Sequence, residues 1–140
     1  MSNKSLVLDA NILIRAVLGT RVRQILETHS ERVTLFVPET AYAEAEEHLE
    51  ALILQRRGNV LAAHATLRSM AALCTVVGLE IYEKFESESR LRMGARDPED
   101  WPILAAALAL ECPIWTEDTD FFGCGIATWT TAGIERYLTA

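Results

Sequence analysis

The stretch SLVLDANILIRAVLG, residues 5–19, decides the fold. It opens with an apolar run that ends in an acid, Asp9. A short apolar run of this kind reads as a buried strand. From Ala10 onward the period changes: Ile12, Leu13, Ala16 and Val17 recur at helical spacing, and Gly19 stops the helix at Leu18. A strand that passes through one acid directly into a helix is the first half of a strand–helix–strand unit.

The same alternation continues outward. Thr20 is placed to cap a second helix that reaches about His29, and residues 33–37 form a β-rich run closed by Pro38. Helices are expected over residues 39–57, ended by Gly58-Asn59, then over 60 to about 77, and over 79–93. Asp97-Pro98-Glu99-Asp100 is a strong helix start, with an acid at the N-cap, proline at the first helical position and acids in the first turn. That helix runs to about Glu111. Residues 114–116 and 126–129 read as further strands, and 132–138 as a closing helix. No hairpin turn joins any strand pair. The expected class is therefore α/β: a central, mainly parallel sheet of about four or five strands flanked by helices.

At 140 residues, half of them apolar and 24% charged, the chain has the length and core material of one folded domain, residues 1–140. The N-terminus lacks the basic, apolar and small-residue pattern of a secretory leader. The longest apolar run, residues 101–110, is too short to span a bilayer. The expected location is cytoplasmic, with no membrane association. Cys74, Cys112 and Cys124 share no metal-ligand spacing and read as reduced core thiols. The net charge of −7 gives no long-range attraction for nucleic acid. Contact with a polynucleotide then depends on local clusters: Arg15/Arg21/Arg23, Arg56/Arg57 or Arg90/Arg92/Arg96. Some of these are expected to border the acidic pocket described next.

Asp9 ends the first strand, and Glu117, Asp118 and Asp120 follow Trp115-Thr116. In a parallel sheet these positions share the carboxyl edge, where ligands bind. Helical arithmetic adds two more acids. Ala41, Ala45, Leu49 and Leu52 form an inward stripe, which Glu44 flanks while Glu46, Glu47 and Glu50 fall opposite. Asp100 sits one turn before Ile103 and Leu104, at the mouth of a second buried face. His48 falls in the apolar stripe and reads as a core histidine ahead of a ligand. Asn11 either orients a water or caps the first helix, and Asp97 serves as an N-cap or, three residues before Asp100, shares or takes that acid's role.

Two unit charges about 4 Å apart repel by roughly 4 kcal/mol at an effective dielectric of 20. Four clustered carboxylates need either protons or a counter-cation, and only Lys4 and Lys84 are available as lysines. Oxygen-only donors without a His/Cys pattern suit a hard divalent ion, Mg²⁺ or Mn²⁺. Such an ion activates water and stabilises charge on a phosphate.

Four motifs in order give the chain a family likeness. LVLDANIL, residues 6–13, resembles the opening motif of PIN domains; VPETAYAEAEEHL, residues 37–49, resembles the second and places its glutamate at Glu44. DWPILAAALAL, residues 100–110, resembles the third, and WTEDTDF, residues 115–121, is similar to a Thr-x-Asp-x-Asp-Phe pattern. The chain resembles more narrowly the small VapC-like toxins. The resemblance implies a PIN-like fold and a Mg²⁺- or Mn²⁺-dependent endoribonuclease, the toxin of a type II toxin–antitoxin pair. It implies Asp9, Glu44, Asp100 and Asp118 as metal-binding catalytic acids, with Asp120, Asn11, Thr116 and Asp97 in auxiliary roles. Partners implied are an RNA substrate, an antitoxin protein and a second copy of the chain. Arg15, Arg21 and Arg23 are the candidate substrate contacts.

Other acid-edged α/β folds fit less well. A haloacid-dehalogenase-type phosphotransferase needs a second aspartate where Asn11 stands, and a receiver domain needs an adjacent acid pair and a late lysine. A PIN-like module that binds RNA or protein without cutting remains the alternative.

Overall fold

The computed structural model describes residues 4–94 and 96–140. Among the described residues there are five strands: β1 Lys4–Leu8, β2 Val33–Pro38, β3 Thr75–Val77, β4 Ile114–Trp115 and β5 Thr128–Trp129. Eight helices accompany them: α1 Ala10–Leu18, α2 Arg21–His29, α3 Glu39–Gln55, α4 Val60–Ala71, α5 Leu79–Tyr82, α6 Glu86–Met93, α7 Trp101–Leu110 and α8 Ile134–Thr139. The strands form one sheet in the order β3-β2-β1-β4-β5, with every pairing parallel.

β1 lies at the centre, and Leu6, Val7 and Leu8 are fully buried. Leu6 sits opposite Leu35 on β2, Val7 opposite both Phe36 and Ile114, and Leu8 opposite Trp115 on β4. A strand covered on both faces has no solvent side, which is why its sequence is uniformly apolar. α7 is likewise apolar on all sides, with the run from Pro102 to Ala107 buried. No helix among the described residues is long and apolar enough to cross a membrane. The cysteines are unpaired, and burial pushes the thiols of Cys74 and Cys112 up to about 12 and about 11.

The chain first builds outward from β1 to β2 and β3, then crosses back to place β4 on the other side of β1. Strand order therefore reverses between β1 and β4. A crevice opens outside the carboxyl ends of the strands at such a reversal. Asp9 follows β1 and Thr116 follows β4, so these two residues border it directly.

Several expected boundaries move. The helix predicted to reach Val77 stops at Ala71, and Thr75–Val77 forms the edge strand β3 against Phe36, Val37 and Pro38. Three consecutive β-branched residues are stiff at χ1 and pack better on a pleated surface than in a helix. The helix predicted over 79–93 is broken into α5, a 3₁₀ turn at Glu83–Phe85, and α6. Buried Tyr82 stands at the break and meets Trp101 edge-on, with ring centroids 5.8 Å apart. Thr20 occupies the N-cap position of α2 without a side-chain capping bond.

Candidate active site

The crevice is organised around one buried carboxylate. Asp9 is 5% exposed and stands at the N-cap of α1. The Ala10 N–H donates to its Oδ1 at 2.7 Å, and the Thr116 hydroxyl donates to its Oδ2 at 2.7 Å. Thr116 is itself fully buried. Its Oγ1 accepts the Asp118 N–H at 2.9 Å, and Asn11 Nδ2 bridges Oγ1 and Asp9 Oδ2 at 3.2 Å each. Asn11 Oδ1 in turn accepts the Glu117 N–H at 3.2 Å. One hydroxyl and one amide thus tie the end of β1 to the end of β4.

The three acids after Trp115-Thr116 separate into different jobs. The Glu117 carboxylate turns away and accepts the Thr131 N–H at 2.7 Å, holding the chain beyond β5. Asp118 caps the 3₁₀ turn Thr119–Phe121 by accepting the Asp120 N–H at 2.9 Å. That turn carries Asp120 back towards Asp118 and Asp100. These three carboxylates each offer an oxygen, all within 4.8 Å of one another.

Asp9, Asn11, Ile14, Glu44, His48, Asp97, Asp100 and Asp118 line a pocket of about 230 Å³. Glu44 and Asp100 also border a second cleft of about 210 Å³, next to Thr40, Glu99 and Ile103. The acids expected from four separate segments therefore meet at one pocket, on its rim or on the adjoining turn. Asp97 is exposed, and its side chain accepts the Glu99 N–H at 3.0 Å, so it caps the turn Pro98–Asp100. Asp100, not Asp97, joins the tight trio.

Crowding shows in the protonation. Burial pushes Asp9 up to about 6; the Thr116 and Ala10 hydrogen bonds pull it down, while Glu44 and Asp118 push it further up. Asp100 is pushed up to about 8, by desolvation first, then by the charges of Asp9 and Asp97 and by its hydrogen-bonded contact with Asp118. Without a counter-cation these acids hold protons at pH values where exposed carboxylates do not. An all-oxygen donor set at this spacing is the chemistry that a hard divalent ion accepts.

Two expectations fail. His48 is exposed and lines the pocket, so it is not a core histidine. It stands one position before buried Leu49, as Glu44 stands one before buried Ala45, and the arithmetic that singles out Glu44 picks His48 as well. The arginine clusters do not line the pocket. Arg21 pairs with Glu135, and the Arg23 guanidinium donates to the Ala16 and Val17 carbonyls at 2.9 and 2.7 Å. Arg15 is exposed and borders a separate cleft of about 360 Å³ with Leu18 and Arg21. Arg90 lies over Trp101 at 5.5 Å and pairs with Glu86. Arg96 donates to the Asp120 carbonyl at 2.9 Å and to that of Phe122, and Arg92 donates to the Cys124 carbonyl at 3.2 Å. This last pair grips the loop behind Asp118 and Asp120.

Solved structures share the fold. A crystal structure of PAE2754 from Pyrobaculum aerophilum superposes with a TM-score of 0.73 at 14% identity, covering 97% of this chain and 90% of that one. VapBC2 from Rickettsia felis, bound to a DNA fragment from its promoter, gives 0.67 at 13%, covering 90% and 98%. A toxin–antitoxin complex from Klebsiella pneumoniae gives 0.64 at 18%, covering 90% and 97%. Among curated proteins none matches the sequence. A family model described as PIN domain, however, matches residues 7–139. With nearly the whole length matched and the same parallel sheet beneath it, the chain belongs to the PIN domain family.

Proposed function

We propose that this PIN domain is a divalent-metal-dependent endoribonuclease that hydrolyses RNA phosphodiester bonds, and that it is the toxin of a type II toxin–antitoxin pair. The observation that carries the reading is the convergence of Asp9, Glu44, Asp100 and Asp118 on one pocket at the strand-order reversal. Asp9, Asp100 and Asp118 would hold Mg²⁺ or Mn²⁺, with Asp120 and Glu44 completing the oxygen set. A bound ion supplies Lewis-acid polarisation of the phosphate and activation of a water. The chain's own residues do the positioning. Thr116 and Asn11 fix the Asp9 carboxylate, and Asp120 and Thr116 fix Asp118. Asp100, raised to about 8 while no ion offsets its neighbours, would give up its proton as the ion binds. Arg15, exposed one turn along α1 from Asn11, is the member of its cluster left for the substrate strand.

The toxin–antitoxin assembly of the Klebsiella pneumoniae protein supports an antitoxin as partner. A second copy of the chain is a further partner on this reading.

The test is RNA cleavage in Mg²⁺, Mn²⁺ or EDTA by the parent protein, Asp9→Asn and Asp118→Asn. Cleavage should need the ion and fall by about 100-fold or more in each variant, the scale seen when one charge-stabilising group is lost. RNA binding without cleavage in any ion would assign the chain to a non-cutting module instead.

A further inference from the structure

We propose that His48 contacts the scissile phosphate of the substrate strand; this rests on the nuclease reading above. His48 lies on α3 one turn beyond Glu44, with its anchor about 6 Å further along the helix axis. The two side chains line the same pocket.

The inventory of that wall is lopsided. Asp9, Glu44, Asp97, Asp100 and Asp118 are acceptors when ionised, and no lysine or arginine is among the lining residues. A phosphodiester is an anion that carries acceptors only. Bound ions offset the charge and orient the oxygens they coordinate, but they do not hold an oxygen that they leave uncoordinated. That takes hydrogen-bond donors of defined direction. Asn11 cannot serve, because its Nδ2 is committed to Asp9 and Thr116 and its Oδ1 to the Glu117 N–H. The Thr116 hydroxyl is buried and committed to Asp9. Among the described lining residues, the imidazole of His48 is the exposed side-chain donor that remains. A neutral imidazole always carries one N–H, so the contact does not require a charged ring. The nitrogen donates to a non-bridging phosphate oxygen from α3, the helix that also carries Glu44.

Exposure makes the position tolerant of substitution, so His48→Ala and His48→Gln are the variants to compare. Three quantities are read: melting temperature, Mn²⁺ uptake by calorimetry, and kcat and KM on a defined RNA. Ala should lower kcat/KM by about 10- to 100-fold, the range set by one hydrogen bond to a charged group. Gln, which restores an N–H donor, should lose less than Ala. Melting temperature and Mn²⁺ uptake should match the parent in both. Parental kcat/KM in the Ala variant overturns the contact, as does a Gln variant no better than Ala. Lost Mn²⁺ uptake in the Ala variant also overturns it and makes His48 an ion ligand. Each of these leaves the nuclease reading standing. A parent protein that cleaves no RNA in any ion sinks that reading and the contact together.

Discussion

Asp9→Asn should make the metal-free protein more stable. The carboxyl is held at about 6 against an ordinary value of 3.8, chiefly by burial. At 1.36 kcal/mol per tenfold, keeping it ionised in the folded state costs about 3 kcal/mol at pH 7 and above. The sign follows from the direction of the shift. A raised carboxyl binds its proton more tightly folded than unfolded, so the penalty is absent below 3.8, grows through the interval and is complete above about 6. Asparagine removes the charge but keeps the shape. Its amide nitrogen meets both the Thr116 hydroxyl and the Asn11 amide donors at Oδ2, and the two mismatched contacts return about 2 kcal/mol. The net gain is about 1 kcal/mol, or about 2–4 °C in melting temperature for a chain of this size. The assay is thermal unfolding in EDTA at fixed ionic strength, at pH 7.5 and pH 5. The variant should melt higher at pH 7.5, and the gap should shrink to less than half at pH 5, where the parent binds its proton. Saturating Mn²⁺ should raise the parent and leave the variant nearly still, since only a protein that binds the ion gains from it. A variant that melts below the parent in EDTA at pH 7.5 would falsify the claim that Asp9 is an electrostatic liability relieved by a cation.

Thr116→Val should cost about 2–4 kcal/mol, because it strands the Asp118 N–H, the Asn11 amide and the Asp9 carboxylate at once; chemical denaturation measures it. In the same variant the Asp9 carboxyl should titrate higher still, since the hydroxyl now pulls it down, and carboxyl NMR titration reads that directly. Glu111→Gly should stabilise by about 0.5–1 kcal/mol, because Glu111 ends α7 at φ 53°, a left-handed conformation that glycine adopts without steric cost. Ser89→Ala should be neutral or stabilising by about 1 kcal/mol: the hydroxyl is fully buried on α6 with no hydrogen-bond partner among the described residues, and alanine favours the helix.

What the sequence made legible was what depends on short-range period. The change from an unbroken apolar run to helical spacing marks β1 and α1, whose limits at Leu8 and Ala10 follow Asp9 closely. Asp9 and Asp118 were readable because both follow strands, and Glu44 because a helix repeats at a known angle. β3 was hidden because a three-residue edge strand carries almost no periodic signal, and the preceding helix pattern runs into it. The approach of Asp120 to Asp100 is illegible in the sequence because it depends on a 3₁₀ turn capped by Asp118, a tertiary fact. Arginine commitments were illegible for a related reason. A long flexible side chain chooses among partners that only the folded chain assembles, as Arg23 does with the last carbonyls of α1.

The two halves of the site are held by different means. Asp9 and Thr116 stand on the sheet: the Asp9 N–H donates to the Trp115 carbonyl at 3.1 Å, and the Thr116 N–H to the Trp129 carbonyl at 3.0 Å. β4 has only two residues, yet it is hydrogen-bonded on both sides, so the position of Thr116 is inherited from β1 and β5 rather than from a loop. The Thr116 side chain passes that position on to Asp9 and Asp118. Asp120 lies beyond the sheet. Its loop turns through Gly123 and Gly125 at positive φ and is pinned from behind by Arg92 and Arg96. The i,i+4 pair of Arg92 with Glu88 steadies that grip on α6. Precision in a reacting site comes from groups fixed by rigid elements. Asp9 and Asp118 therefore take their places from the sheet, and Asp100 and Asp120 take theirs from 3₁₀ turns, the second of them held by Arg96.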